Sequence, residues 1–109
     1  MSRITTHVLD AVLGKPAAGV ALSLEKKTGN VWAAFATCVT GADGRCADLA
    51  PDAPAGIYRL TFETGAYLER SGRSGIYPEI SITFICDGKA HYHLPLLLSD
   101  NGYTTYRGS

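Results

Sequence analysis

Apolar side chains recur at every second position through much of this sequence, and that period dictates strands. Val20, Leu22 and Leu24 alternate with Ala21, Ser23 and Glu25; Tyr58, Leu60 and Phe62 do the same, as do Ile80, Ile82, Phe84 and Cys86. A strand sends successive side chains to opposite faces, so each run buries one face and wets the other. Turn chemistry separates the runs: Lys27-Thr28-Gly29-Asn30, Gly41-Ala42-Asp43-Gly44, Pro51-Asp52-Ala53-Pro54 and Asp87-Gly88-Lys89. Short strands joined in this way predict an all-β, antiparallel sandwich or barrel of seven or eight strands. One short helix is expected from Thr64 to Ser71, with Thr64 as its N-cap and Gly72 ending it.

A chain of 109 residues forms one domain, 1–109, with a single core. Its 46% hydrophobic and 18% charged residues are a globular balance that predicts no disordered tail. Ten basic and ten acidic side chains cancel, which argues against nucleic acid or an anionic membrane surface as the main partner. Any anion handled here is therefore small and held by one or two placed cations. The opening MSRITTHVLD lacks the apolar stretch and cleavage site of a secretory signal, and Leu94 to Leu98 is too short to span a bilayer, so the cytoplasm is the expected compartment. Cys38, Cys46 and Cys86 are odd in number and contain no C-x-x-C pair; reduced, buried thiols are expected. No histidine adjoins a cysteine in sequence to suggest a thiolate nucleophile.

The most informative strand pattern is His91-Tyr92-His93-Leu94-Pro95-Leu96-Leu97-Leu98. It puts Tyr92, Leu94, Leu96 and Leu98 on one face and His91, His93 and Pro95 on the other. Two imidazoles stand where a half-exposed strand ordinarily carries Thr, Lys or Glu. Proline cannot donate to a ladder, so an edge or a bulge is expected at Pro95. The terminal Tyr103-Thr104-Thr105-Tyr106-Arg107-Gly108-Ser109 has strand composition to its last residue, and a docked end is expected, because free ends fray.

His7, in Thr5-Thr6-His7-Val8-Leu9-Asp10, reads either as a hydrogen-bonded strand residue or as a proton carrier, a role imidazole fills near neutral pH. His91 and His93 with His7 could hold a metal, but no acidic or thiolate residue stands at ligand spacing to complete a site, and none is expected. Arg45 reads either as a solvated turn residue or as a fixed guanidinium for an anionic or carbonyl oxygen. No phosphate loop, G-x-S-x-G elbow or H-E-x-x-H is present.

Three segments together resemble the transthyretin-like 5-hydroxyisourate hydrolase family: Thr6-His7-Val8-Leu9-Asp10 with Gly14-Lys15-Pro16-Ala17; Thr40-Gly41-Ala42-Asp43-Gly44-Arg45; and His91 through Ser99 running into Gly102 through Ser109. The terminal Tyr106-Arg107-Gly108-Ser109 resembles that family's signature, which the hormone carriers lack. The chain departs from the family pattern at Gly41, Ile76 and Asp100-Asn101, positions that flank loops and strand ends. The resemblance implies a transthyretin-like sandwich of about eight strands in two sheets, assembled as a homotetramer, a dimer of dimers. It implies hydrolysis of the cyclic amide of 5-hydroxyisourate, an oxidised purine of urate breakdown, to 2-oxo-4-hydroxy-4-carboxy-5-ureidoimidazoline, with no metal or organic cofactor. By matching motif, the catalytic set is His7, Arg45 and His93, and His7, Arg45, Tyr106, Arg107, Gly108 and Ser109 bind substrate; His91 matches a frequent position but receives no chemical role. The competing expectations are a carrier of a small aromatic ligand in the same cleft and a purely structural sandwich module.

Overall fold

The computed structural model describes residues 1–108. The order of elements is β1 (Ser2–Asp10), β2 (Lys15–Pro16), β3 (Ala21–Thr28), β4 (Val31–Val39), β5 (Ala50–Ala53), β6 (Gly56–Phe62), α1 (Thr64–Arg70), β7 (Ile80–Cys86), β8 (His91–Leu98) and β9 (Tyr103–Thr105). One sheet runs β2-β1-β8-β9, with β5 also paired to β1; the other runs β4-β3-β6-β7. The expected two-sheet sandwich with one helix is present. Leu22, Leu24, Tyr58, Leu60, Phe62 and Ile80 face the core from one sheet, and Ile4, Val8, Leu94, Leu96 and Leu98 from the other. Each such side chain stabilises the fold by about 1.5–3 kcal/mol through removal from water.

Several expectations need correction. The sandwich is not wholly antiparallel: β1 and β8 pair in parallel, Arg3 opposite His91, Thr5 opposite His93 and His7 opposite Pro95. The long stretch of chain between these strands leaves their relative direction free. Nor is β8 an edge strand, since β9 pairs on its other side, Leu96 opposite Thr105. Pro95 is accommodated because β9 stops there, and pairing resumes only where Gly108 meets His93. The segment expected as a turn at 51–54 instead begins in β5, which pairs with β1 through Ala50 and Ala53. Both alanines are buried, while Pro51 stands exposed at the rim, where its missing N–H leaves no ladder bond unmade.

Thr64 is not the cap of α1. Glu63 is, and it makes no side-chain capping bond; Thr64 is buried and its hydroxyl has no partner among the described residues. The C-terminal end behaves as expected. Gly72 adopts φ +70°, its N–H reaches Glu69 O (3.0 Å), and the Arg73 N–H reaches Leu68 O (2.8 Å). That left-handed closure satisfies the last carbonyls and turns Arg73 back under the sheet.

There Arg73 meets Asp10, a carboxylate buried at the end of β1. Arg73 Nη1 donates to Asp10 Oδ2 at 2.6 Å, Tyr67 Oη to the same oxygen at 2.7 Å, and Arg73 Nη2 to Asp100 at 2.6 Å. The Val12 and Leu13 N–H groups donate to Asp10 Oδ1. The sequence departures at Asp100 and Asn101 are thereby explained: Asp100 completes the ion pair, and Asn101 accepts the Ile76 N–H. Burial pushes the Asp10 carboxyl up, but the bonds from Arg73, Leu13 and Tyr67 outweigh it and hold it at about 2, against 3.8 ordinarily.

The cysteine expectation also needs correction. Cys38 and Cys46 form a disulfide, and Cys86 is the free, buried thiol. The reason is tertiary. The turn after β4 folds the chain back on itself and brings the two Cα atoms to 6.1 Å. Breaking a link around so short a loop costs about 2–3 kcal/mol in the chain-entropy account. A dithiol reductant is accordingly expected to lower the urea midpoint of the wild type and to leave a Cys38→Ser/Cys46→Ser variant unchanged. The Asp10 network predicts a second effect. A depressed carboxylate stabilises the fold above its unfolded pKa and ceases to do so as pH falls. Wild-type stability should therefore drop by about 2 kcal/mol between about pH 4 and about pH 2, a slope that urea titrations of Asp10→Asn should lack.

Candidate active site

The parallel ladder sets one row of polar side chains on the outer face of the sheet. Ile4, Thr6 and Val8 point inward from β1, so Arg3, Thr5 and His7 point outward. On β8 the same alternation buries Tyr92 and Leu94 and turns His91 and His93 outward. His7 thus lies on the same face as His93, one row further along the ladder.

Arg45 arrives from the turn between β4 and β5. The Val8 N–H donates to Gly44 O at 2.8 Å, and His7 and Arg45 form an isolated bridge. His7 Nε2 lies 2.8 Å from Asp43 O. A carbonyl only accepts, so this nitrogen carries the proton and Nδ1 of the neutral ring keeps its lone pair. Gly44 is required here: its φ is +76°, and a Cβ would collide with Val8 O and come within 3.2 Å of the His7 ring. The Cys38–Cys46 link closes this same turn one residue beyond Arg45. A cleft of about 500 Å³ lies beside it, lined by Thr5, Gly41, Asp43, Arg45 and Cys46 among others.

The C-terminal strip forms the other wall. The Gly108 N–H donates to His93 O at 2.7 Å, so the end is docked as expected. A Cβ at Gly108 would lie 2.7 Å from His93 Cδ2, so only glycine lets the strip pass against the ring. Tyr106 is 55% exposed beside this row. The Arg107 guanidinium sits 4.8 Å over the Tyr92 ring and donates to His91 O at 3.2 Å. Ser109 lies outside the described residues. His7, Arg45, His93 and Gly108 are thus brought together on one face, while the Arg107 head group is engaged at the His91 end of the row.

The sequence reading missed Thr5. Its hydroxyl lies 2.7 Å from His91 Nε2 and 2.7 Å from His93 Nδ1, joining two imidazoles. The available signal was the period of two, which puts Thr5 on the same face as His7. Burial pushes the His93 pKa down, and the nearby Arg45, His91 and His7 push it further. Burial likewise lowers His91, helped by Arg3 and Arg107. Both rings are therefore neutral at pH 7. Among the described residues no three His, Cys, Asp or Glu side chains are grouped so as to hold a metal, and no helix is long and apolar enough to cross a membrane. An NMR titration should place His93 below the ordinary 6.5, and Arg45→Gln should move it upward; an unmoved His93 would mean that Arg45 does not act on the ring.

Known proteins resemble this chain along nearly its whole length. The model of the HIUase/Transthyretin family matches residues 4–108. The 5-hydroxyisourate hydrolase of Salmonella typhimurium is 46% identical, over 97% of this chain and 80% of that protein. The solved 5-hydroxyisourate hydrolase of Klebsiella pneumoniae is 43% identical with a TM-score of 0.90, covering 100% of both chains. Transthyretin from Sparus aurata is 36% identical with a TM-score of 0.93, covering 99% of this chain and 97% of that one. With a match from Ile4 to Gly108 and such identity at full length, this chain belongs to the HIUase/Transthyretin family.

Proposed function

We propose that this chain, as one unit over residues 1–109, hydrolyses 5-hydroxyisourate in urate breakdown, in the cytoplasm and as a homotetramer, a dimer of dimers. The observation that carries this reading is the convergence of His7, Arg45 and His93 on one sheet face, in a chain whose relatives bear that enzyme's name.

The chemical problem is to make water nucleophilic and to stabilise the oxyanion at the attacked carbonyl. His7 and His93 share the proton work: a neutral imidazole takes a proton from water as the O–C bond forms, and the leaving ring nitrogen is protonated as the C–N bond breaks. Arg45 donates to substrate oxygens and favours the negative charge that develops in the transition state. Tyr106 and the backbone at Arg107 and Gly108 bind and orient the flat heterocycle, with Ser109 as a further polar contact. The substrate is a small molecule, and neither metal nor organic cofactor takes part.

Assembly supplies what one chain leaves open. The face that bears the histidines is a wall and not a pocket, and Tyr106 beside it is largely exposed. A second copy laid across this face closes the cleft and excludes water, which strengthens every polar contact within it. The likeness to Sparus aurata transthyretin favours a second reading, that of a carrier. Against it stand three ionisable groups, His7, Arg45 and His93, gathered at that face, ill suited to an apolar ligand.

The test generates 5-hydroxyisourate from urate with urate oxidase and follows the decay of its ultraviolet absorbance with and without the purified protein. Decay far faster than the spontaneous rate, unaffected by a chelator, is expected. His7→Ala, Arg45→Ala and His93→Ala should each lose about 100-fold or more in turnover while sedimenting as tetramers. Near-wild-type turnover in two of the three would overturn the site, and retention of the purine without its consumption would establish the carrier.

A further inference from the structure

The hydrogen bonds that link Arg3, His91, Thr5 and His93 have a direction, and it follows from what each group is able to donate. A guanidinium carries only donors. Arg3 Nη2, 3.4 Å from His91 Nδ1, therefore donates, and that nitrogen holds a lone pair. In a neutral ring the proton then sits on His91 Nε2, which donates to Thr5 Oγ1 at 2.7 Å. The threonine hydroxyl has a single hydrogen, and its remaining neighbour is His93 Nδ1, also at 2.7 Å. Thr5 donates there. His93 Nδ1 accepts, and the proton of its neutral ring is left on Nε2, for which no hydrogen bond is seen among the described residues.

We propose that Thr5 is a positioning residue: with Arg3 and His91 it forms a one-way chain that holds neutral His93 in its Nε2–H tautomer, turning an N–H donor toward the substrate. This rests on the hydrolase reading above and revises its division of labour, giving both proton transfers to His7 and stabilisation of the oxyanion to His93. His93 then stabilises the developing oxyanion beside Arg45, as a neutral donor. The lone pair that takes the proton from water belongs to His7 Nδ1, whose Nε2–H is held by Asp43 O. The step balances. Water gives a proton to His7 and its oxygen bonds to the carbonyl carbon. The C–N bond then breaks, and His7 returns the proton to the leaving ring nitrogen and is neutral again.

The surroundings favour the neutral chain. The charged groups that face it are Arg3 and Arg107 at His91, and Arg45 at His93, with His7 the further titratable neighbour. All three charges are positive, so a second proton on either ring meets repulsion together with the cost of burial. A threonine at this place is not needed for the fold. Thr5 points away from the core, and valine would keep its shape and its preference for a strand.

The experiment has two independent arms. Long-range proton–nitrogen NMR of the wild type near pH 7.5 reads the tautomers directly, without substrate. His93 with a protonated Nε2 and a bare Nδ1 is expected; a protonated Nδ1 overturns the proposal. Kinetics with 5-hydroxyisourate form the second arm. Thr5→Val should lower kcat about 10-fold or more, the loss of one oriented hydrogen bond, with KM changed less than about 3-fold and the His93 spectrum shifted toward a mixture of tautomers. Thr5→Ser should restore both. Full turnover in Thr5→Val, a rate loss with an unchanged His93 spectrum, or a serine variant as slow as the valine would each overturn it. A wild type that does not speed the decay would sink the hydrolase reading instead, while the tautomer measurement would still decide the chain of bonds.

Discussion

The parallel ladder between β1 and β8 is the constraint on which the site depends. It carries Ile4, Thr6 and Val8 into the core beside Leu94 and Leu96, and by the strict alternation of a strand it sends Thr5, His7 and His93 outward together. A slip of one residue would bury the imidazoles and expose the aliphatic face, so the apolar core that stabilises the sandwich also holds the chemistry in register. Thr6 adds a buried bond across the ladder, its hydroxyl donating to Leu94 O at 2.7 Å. Asp10 ends the strand in a buried ion pair with Arg73, and such a pair is unforgiving of the loss of one partner.

A neutral chain has concentrated its positive charge where it is used. Arg3, Arg45 and Arg107 stand along one face of one sheet, while the acidic residue nearest the cleft, Asp43, offers His7 its backbone carbonyl and turns its carboxylate to the Arg45 N–H. Burial, helped by the fixed cations beside them, favours the neutral form of His91 and His93, and a neutral imidazole is what a directed chain of hydrogen bonds requires. The turn that delivers Arg45 is braced three ways: by a ladder bond from Val8, by a glycine that no side chain could replace, and by the Cys38–Cys46 link.

Much of the fold was legible because it rests on local rules. The runs at 20–25, 58–62 and 80–86 became β3, β6 and β7, and Gly72 stopped α1 through left-handed backbone geometry. Strand β4 was harder to read: its Ala33-Ala34-Phe35-Ala36 stretch lies at a sheet edge and carries little contrast between faces. β5 looked like a turn because proline and aspartate favour turns, until pairing with β1 overrode that preference. Thr64 looked like a cap, but burial withdrew its hydroxyl from the helix end.

The sequence by itself determined the class of fold, the inward and outward faces of β8, the docked C-terminal end and, through matching motifs, the catalytic candidates His7, Arg45 and His93. These follow from periods of two and from short motifs, which depend on neighbours along the chain. Only the tertiary structure decided that β1 lies parallel to β8, that Cys38 bonds to Cys46, that Asp10 anchors Arg73, and that Thr5 stands between two histidines more than eighty positions away. Those facts concern residues distant in sequence, and the closing of the sandwich around its core is what brings them within reach of one another.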